Sequence, residues 1–346
     1  METVNIFLDD TSCKEVLYPF TQIRNTVDFK VGMFSVKERW QKYAPGLIIS
    51  EENTEDCVVI PANIIPTSRN IDTVLNAARQ KVLFVDNTLV PVLNHPSDVF
   101  HSFRELLVED IFFHLANSYD GEAQSWIEIE PMVFVHPSAK IKNALFDTRY
   151  GPILIDKEVS IGIGAMLAGP IYIGEETVVK MGATLYGPLC IGKQCVIGGE
   201  VSNCIFYSYS NKGHHGYIGT SIIGSWCNIG AGSSCSNVKN TAGKVAYQLP
   251  NENSYHTNSI KGGLLMGDYS RCAVNTSFNT AAVVGLSCNI FGNVSDKKYF
   301  KNFTWGDEIY DLIIAIEHLK NWKKLIGEEV SENEIELIKN IHNIES

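Results

Sequence analysis

The sequence lacks the segments that mark a membrane protein, a secreted protein or a nucleic-acid-binding protein. It contains no run of eighteen apolar residues, so we expect no membrane span. Its first residues, Met1 to Asn5, lack the basic and apolar segments of a signal peptide, and we expect a cytoplasmic protein. The 39 acidic residues outnumber the 28 basic residues, and the net charge of -11 argues against binding nucleic acid through its phosphates.

Cysteine pairs and metal-ligand clusters are also missing. The nine cysteines include no CxxC pair, and six of them lie in or beside a repeated segment: Cys190, Cys195, Cys227, Cys235, Cys272 and Cys288. We expect these six to be small buried residues in a reducing compartment. No group of His, Cys, Asp and Glu has the spacing of a metal site, and we expect His136 to be structural or on the surface.

Residues 1–125 show no fixed repeat and predict a small α/β domain, because strands alternate with helices. The predicted strands cover 4–8, 47–49, 58–60 and 81–85, and the predicted helices cover 36–43, 71–80 and 99–117. The first strand is followed by residues 9–15, which contain no glycine, so a glycine-rich phosphate-binding loop is missing there. Arg24, Lys30 and Lys37 are scattered, which favours a solvated face over a phosphate site.

A strict period of six begins after a connector at residues 118–134. Eight aliphatic residues follow one another at every sixth position: Ile155, Ile161, Leu167, Ile173, Val179, Leu185, Ile191 and Ile197. Neither a helix nor a simple alternating strand gives this spacing. The period is typical of a β-solenoid, in which the aliphatic side chains stack inside successive coils. The alternative is a set of ordinary strands joined by glycine turns.

The period is interrupted at residues 199–216 and again at about 239–262, and we expect loops there. It resumes at Tyr217, Ile223, Ile229 and Cys235, and later at Met266, Cys272, Phe278, Val284 and Ile290; Val135 and Ile141 extend it backwards. The first interruption carries His214 and His215 between glycines. Histidine titrates nearest neutral pH, so this segment is the best place in the chain for acid–base chemistry.

The chain is predicted to turn helical from Gly306. Ile309, Leu312, Ile313, Ile316 and Leu319 form an apolar stripe at helical spacing. A second helix is predicted over 332–342. Such stripes indicate packing against the solenoid or against a neighbouring subunit.

The stretch from Lys212 to Asn237 resembles the acetyltransferase site of a known family. His214, Tyr217, Asn228 and Asn237 are spaced as in the bifunctional N-acetylglucosamine-1-phosphate uridyltransferase / glucosamine-1-phosphate N-acetyltransferase family, and 228–232 reads Asn-Ile-Gly-Ala-Gly. A Bacteroidetes-type variant, with a shortened nucleotidyltransferase-like domain, is similar over most of the chain. The segments that carry this second resemblance are 17–21, 37–40, 178–183 and 198–201.

The resemblance implies a fold of three parts. These are a small, degenerate nucleotidyltransferase-like α/β domain (1–125), a left-handed parallel β-helix of hexapeptide repeats (126–295) and a C-terminal helical segment (296–346). It also implies a homotrimer that binds acetyl-CoA as cosubstrate between neighbouring solenoids and acetylates an amino sugar phosphate.

The resemblance also implies the roles of individual residues. His214 is the general base, and Tyr217, Asn228 and Asn237 contact the sugar phosphate. Ala231 contacts the acetyl group through its backbone. For the phosphate, the family's basic residues fall on Ser202 and near Thr184, so the candidates here are Lys180 and either Lys244 or Lys239.

Other interpretations of the turn at 230–232 and of the two histidines remain open. Backbone N–H groups of the turn Gly230-Ala231-Gly232 are suited to stabilise a developing oxyanion. A purely structural His214 is the alternative to a catalytic one, and we expect His215 to be structural.

Two other functions remain open. One is a sugar-1-phosphate nucleotidyltransferase that uses Mg²⁺, performed by the first domain. The other is a non-catalytic, sugar-nucleotide-binding trimer in which the solenoid serves as a scaffold.

Overall fold

The structure is a computed structural model and describes residues 4–80, 90–117, 126–250 and 253–345. The chain divides between Leu106 and Leu107 into two compact units. Among the described residues, no helix has the length and apolar character that crossing a membrane requires.

The first unit contains a three-stranded parallel sheet in the order β2-β1-β3. Its elements are β1 (Val4–Asp9), α1 (Val36–Tyr43), β2 (Leu47–Ser50), β3 (Val58–Pro61), α2 (Ile71–Arg79) and the first residues of α3 (Phe103–Asn117). Three of the four predicted strands are confirmed, and the fourth, at 81–85, lies outside the described residues. The helix predicted over 99–117 is a 3-10 turn at Pro96–His101 followed by α3.

Helix α1 begins and ends at residues that the sequence marks as helix ends. The Ser35 hydroxyl accepts from the Glu38 N–H, and the Glu38 carboxylate accepts from the Ser35 N–H, which closes a capping box. Trp40 is buried on the inner side of the helix. The helix ends before Pro45, which cannot continue it.

The second unit is a parallel β-solenoid with three faces, here called A, B and C, as the period of six predicts. Face A holds β5 (Val133–Val135), β8 (Ile153–Ile155), β11 (Ile171–Ile173), β22 (Leu265–Met266), β25 (Val283–Val284), β27 (Tyr299–Phe300) and the second halves of β13 (Thr184–Ile191), β15 (Glu200–Phe206) and β17 (Tyr217–Ile223). Face B holds β6 (Lys140–Ile141), β9 (Ser160–Ile161), β12 (Val178–Val179), β14 (Val196–Ile197), β16 (Asn211–Lys212), β18 (Asn228–Ile229), β23 (Arg271–Cys272), β26 (Asn289–Ile290) and β28 (Thr304–Trp305). Face C holds β7 (Leu145–Asp147), β10 (Met166–Ala168), the first halves of β13, β15 and β17, and the pair β19 (Ser234–Cys235) and β24 (Ser277–Phe278). An antiparallel strand, β4 (Ile127–Glu130), precedes β5.

The eight aliphatic residues that defined the period all point into the solenoid. Their exposed fractions lie between 0% and 2%. Each one stacks on its counterpart in the next coil, because the strands pair in register, as Ile161 does with Val179 and Val179 with Ile197. Burial of these side chains supplies the main stabilisation of the coil stack.

Residues 199–216 form solenoid strands, so the loop predicted there is wrong. β15 and β16 lie in this range and pair with the coils before and after them. The inward residues of this part are Val201, Phe206, Lys212 and Ile218. The spacing between inward residues is four from Ile197 to Val201 and five from Val201 to Phe206, because the corners there are shorter, and it returns to six up to Ile218. The phase of the period therefore shifts while the stack continues. Tyr217 therefore lies on the outer surface, and the inward position belongs to Ile218.

The second interruption is a true insertion between β19 and β22. It carries an antiparallel hairpin of β20 (Ala246–Gln248) and β21 (Ser254–His256). The solenoid strands continue past the expected boundary at residue 295, since β27 and β28 extend faces A and B.

The helix expected from Gly306 begins later, at Leu312. Gly306, at φ 61°, makes the turn between β28 and β29 (Glu308–Ile309), so Ile309 lies in a hairpin and not in a helix. The Asp311 carboxylate caps α4 (Leu312–Lys324), which α5 (Glu332–Glu345) follows. Helix α4 buries Ala315, Leu319 and Lys323, and leaves Ile313 exposed.

Candidate functional site

The two histidines lie at the corner between faces B and C. In most coils this corner has four residues, at 162–165, 180–183, 213–216, 230–233 and 273–276. Glycines let successive corners stack closely: a Cβ on Gly216 would lie 2.1 Å from the Ser233 carbonyl oxygen. His214 takes the second position of its corner, where other coils carry exposed side chains such as Met181 and Val274.

His214 and His215 are both exposed, but their surroundings differ. A Cβ built on Gly232 would lie 3.5 Å from His215 Nε2, so the His215 ring lies toward the next corner, and the Gly232 N–H donates to the His215 carbonyl at 3.1 Å. Among the described residues, none hydrogen-bonds the His214 imidazole. An imidazole without a partner is available to accept a proton from a bound molecule.

Tyr217 and Asn237 are brought into direct contact on face C. Asn237 Nδ2 donates to the Tyr217 hydroxyl at 3.0 Å and lies 3.3 Å from Thr220 Oγ1. Gly219 makes room for the phenol, since a Cβ there would lie 2.1 Å from the Tyr217 oxygen. Burial raises the pKa of Tyr217, so the phenol stays neutral and serves as a hydrogen-bonding group.

A polar cavity of about 340 Å³ begins at Ser236, the residue before Asn237. It is lined by Ser236, Lys239, Asn240, Ser277, Phe278, Asn279, Thr280 and Ser295. Burial lowers the pKa of Lys298, and the positive charge of Lys239 lowers it further. The ammonium groups of these two lysines therefore repel each other. Repelling cations beside hydroxyl and amide groups favour an anionic ligand.

Lys239 and Lys244, the two alternatives proposed for binding the phosphate, differ in their position relative to this cavity. Lys239 lines it, and its Nζ donates to the Lys244 carbonyl at 2.5 Å. Lys244 is exposed on the insertion, and its Nζ donates to Asn258 Oδ1 at 3.1 Å. No pattern in the sequence pointed to Ser277, Asn279 and Thr280. They lie beside Ser236 because the chain passes through faces A and B after the insertion and returns to face C in β24, which pairs with β19.

The turn at 230–232 has fewer free backbone N–H groups than the sequence analysis predicted. The Gly230 N–H donates to the Cys272 carbonyl at 3.2 Å, and the Gly232 N–H is taken by His215. The Ala231 N–H has no partner among the described residues. One backbone donor therefore remains for a ligand, one coil after His214.

Asn228 and Lys180 do not join the Tyr217–Asn237 pair within one chain. Asn228 lies on face B between Asn211 and Arg271, on the opposite side of the corner from Tyr217. Lys180 is exposed at the first position of its corner, two coils before His214, which is about 10 Å at the usual strand spacing.

The predictions about cysteine and His136 are consistent with the structure. The six cysteines named above, together with Cys204 in β15, are free and buried. Burial raises the pKa of such thiols, that of Cys288 to about 12. His136 Nδ1 bonds the Ser138 hydroxyl at 2.9 Å, and its ring packs edge-on against Trp126. Within the described ranges, no group of three His, Cys, Asp or Glu side chains is placed to hold a metal ion.

Residues 5–144 match the family model described as sugar nucleotidyl transferase, which covers less than half of the chain. A comparison with curated proteins found no significant match.

Among solved structures, the acetyltransferase domain of PglB from Neisseria gonorrhoeae, in complex with acetyl coenzyme A, is 9% identical with a TM-score of 0.17. That alignment covers 44% of this chain and 53% of that one. The UDP-N-acetylglucosamine acyltransferase of Arabidopsis is 16% identical, with a TM-score of 0.26 and coverage of 51% and 66%.

The D94N mutant of AntD, an N-acyltransferase from Bacillus cereus in complex with dTDP and coenzyme A, is also 16% identical. Its TM-score is 0.24, and the alignment covers 56% of this chain and 89% of that one. The chain thus spans about half to two thirds of the first two structures. Likenesses of this size carry no information about the reaction or the substrate of this chain.

Proposed function

We propose that the protein is an acetyl-CoA-dependent N-acetyltransferase that acts on an amino sugar phosphate such as glucosamine 1-phosphate. The observation that carries this proposal is the exposed imidazole of His214, which hydrogen-bonds none of the described residues. It lies one coil before the Ala231 N–H, which also has no partner among these residues, and three positions before Tyr217 of the Tyr217–Asn237 pair. A base, an oxyanion donor and sugar-binding groups are the parts that acyl transfer to an amine needs.

In the proposed reaction, His214 accepts a proton from the acceptor ammonium. The neutral nitrogen attacks the thioester carbonyl carbon, and the Ala231 N–H donates to the oxyanion that forms. The oxyanion then collapses, the C–S bond breaks and CoA leaves as a thiolate. The nitrogen gives up its second proton, which the thiolate takes up. The products are the N-acetyl sugar phosphate and free CoA.

The cavity beside Ser236 supports a phosphorylated acceptor. Lys239 is the better candidate for the phosphate than Lys244, because it lines the cavity together with hydroxyl groups. A lysine binds phosphate as a point charge, so several neutral donors around it are needed to fix the orientation.

A homotrimer is part of the proposal. Large apolar side chains are exposed side by side near the corner and on face C: Leu145, Ile163, Met166, Met181 and Tyr186. Contiguous apolar surface of this kind marks interaction sites. A second copy seated there would bring Asn228 and Lys180 of one chain toward His214 of its neighbour, which accounts for their separation within one chain.

The test is release of free thiol from acetyl-CoA in the presence of glucosamine 1-phosphate. We expect turnover by the wild-type protein, loss of about a hundredfold or more in His214→Ala, and near-normal turnover in the matched control His215→Ala. Undiminished turnover in His214→Ala would show that His214 is not the general base.

A second candidate is favoured by the family match at residues 5–144: a nucleotidyltransferase that forms a UDP-sugar. The segment after β1 speaks against it, since Asp9 Oδ1 is bound by the N–H and hydroxyl of Thr11 in a turn without glycine. Magnesium-dependent release of pyrophosphate from UTP and N-acetylglucosamine 1-phosphate would establish this activity. A trimer that binds no acetyl-CoA in a calorimetric titration would instead indicate a scaffold.

A further inference from the structure

Lys212 occupies a position in the solenoid that is otherwise apolar. The inward residues of face B in the other coils are Ile141, Ile161, Val179, Ile197, Ile229, Cys272 and Ile290. Lys212 stacks in register on Ile197, and only 1% of its surface is exposed. Its ammonium group therefore lies inside the coil stack, directly below the corner that carries His214.

The ammonium group binds two backbone carbonyls and no carboxylate among the described residues. Lys212 Nζ donates to the Gly198 carbonyl at 3.1 Å and to the His214 carbonyl at 2.6 Å. Burial lowers the pKa of Lys212 to about 8, so the group is still largely protonated at neutral pH. A buried cation without a counterion is costly, and an apolar side chain of the same length would avoid that cost.

The corners explain what the lysine contributes. At three of the four-residue corners the fourth residue donates its N–H to the carbonyl of the first: Ala165 to Gly162, Ala183 to Lys180, and Ser233 to Gly230. At 273–276 the Thr276 N–H instead donates to Ser233 Oγ at 3.1 Å. The corner at 198–199 has only two residues and cannot form this bond. The corner at 213–216 does not form it either, in the part of the chain that the structure describes. Lys212 supplies donors to these two consecutive corners.

We propose that Lys212 is a positioning residue that holds the backbone of His214 in place for proton transfer. This inference rests on the proposed role of His214, but the position of the His214 ring is measurable without any activity. The lysine touches neither substrate nor reacting atoms. It acts by fixing the carbonyl of His214 to the coil before it.

The experiment compares Lys212→Met and Lys212→Arg with wild type and with the control Ile290→Met, a like change in the same inward column. The proteins carry ¹³C at histidine Cε1, and His214→Asn assigns the signal. We expect the His214 signal to shift or broaden in Lys212→Met, to stay near its wild-type position in Lys212→Arg, and to be unchanged in the control. The signal of the distant His136 should remain constant throughout.

In the thiol-release assay, Lys212→Met should lower kcat by about tenfold to a hundredfold and leave KM for acetyl-CoA within about twofold, as expected for a misplaced base. If Lys212→Met does not fold, Lys212→Gln, whose amide is too short to bind both carbonyls, is measured in the same way. An unchanged His214 signal in a folded variant overturns the inference, even where the melting temperature falls. An inactive wild-type protein overturns the proposed function, while the NMR comparison still decides the role of Lys212.

Discussion

A lysine ammonium inside the apolar column makes the stability of the solenoid depend on pH. The pKa of Lys212 is about 8 in the folded state and has its ordinary value of 10.5 in the unfolded chain. Between these values the unfolded state binds more protons, so this group makes the fold more stable as pH rises from about 8 toward 10.5. The slope from one such group is at most about 1.4 kcal/mol per pH unit.

The measurement is the free energy of unfolding in urea at pH 7.5 and at pH 9, for wild type and for Lys212→Met. Buried thiols such as Cys204, with a pKa of about 12, have the opposite effect on the stability of the fold. Above about pH 9 the thiol ionises in the unfolded chain but not in the folded protein, which favours unfolding. Both proteins share these thiols, so the difference between the two slopes belongs to Lys212. Equal slopes would mean that its ammonium group is not held in the core.

At the scale of the element, glycines at the corners allow the coils to stack closely. Gly216 has φ 118°, and a Cβ there would lie 2.1 Å from the Ser233 carbonyl oxygen of the next coil. A Cβ on Gly164, at φ 74°, would have no atom within 4 Å. Gly164→Ala should therefore cost only the backbone strain, about 1–2 kcal/mol, whereas Gly216→Ala should cost clearly more. Melting temperatures of the two variants test this, and equal shifts would contradict the stacking.

Helices α4 and α5 depend on one buried ion pair. Lys323 Nζ and Glu334 Oε2 lie 2.6 Å apart, both side chains are largely buried, and the Tyr269 hydroxyl also bonds Glu334. Removing the carboxylate charge leaves Lys323 unpaired, so Glu334→Gln should destabilise the protein by about 3 kcal/mol. The exposed Glu336, changed to Gln in the same helix, should have almost no effect. The two melting temperatures are the readout, and similar values would show that the pair contributes little.

How far the sequence predicts these elements depends on the regularity of the corners. A strict period of six predicted the inward side chains from Ile155 to Ile197, because the corners between faces A and B and between faces B and C all have four residues there. It failed after Ile197, where the two-residue corner at 198–199 shifts the phase, so that Tyr217 was taken as inward and Lys212 was not. A shortened corner removes residues without breaking the strand pairing, and a sequence pattern alone does not distinguish it from a loop.

The site was predictable to the extent that it lies in one local stretch. His214, Tyr217 and Asn237 keep their spacing along the chain, and the last two do meet. The cavity at Lys239 was not predictable, because it is assembled from residues on either side of the insertion, including Asn279 and Ser295. Their proximity depends on where the chain re-enters face C, which no local pattern encodes.

For the whole molecule, the proposed trimer makes the site depend on an apolar surface. Met181 is 75% exposed at the second corner position, two coils before His214, and Met166 and Ile163 are exposed beside it. A carboxylate introduced there would have to lose its hydration on association, which is unfavourable without a partner charge. Met181→Asp should therefore dissociate the trimer and abolish thiol release, while the melting temperature of the monomer stays measurable.

Leu325 provides a matched control, because it is also 75% exposed and lies after helix α4, away from the corners. Leu325→Asp should keep both the trimer and the activity. Light scattering after size exclusion gives the molecular mass of each variant at the concentration of the assay. If Met181→Asp keeps the mass and activity of wild type, this surface does not join the copies. His214 would then have to work with groups of its own chain, and Asn228, on the other side of the corner, would have no part in binding the acceptor.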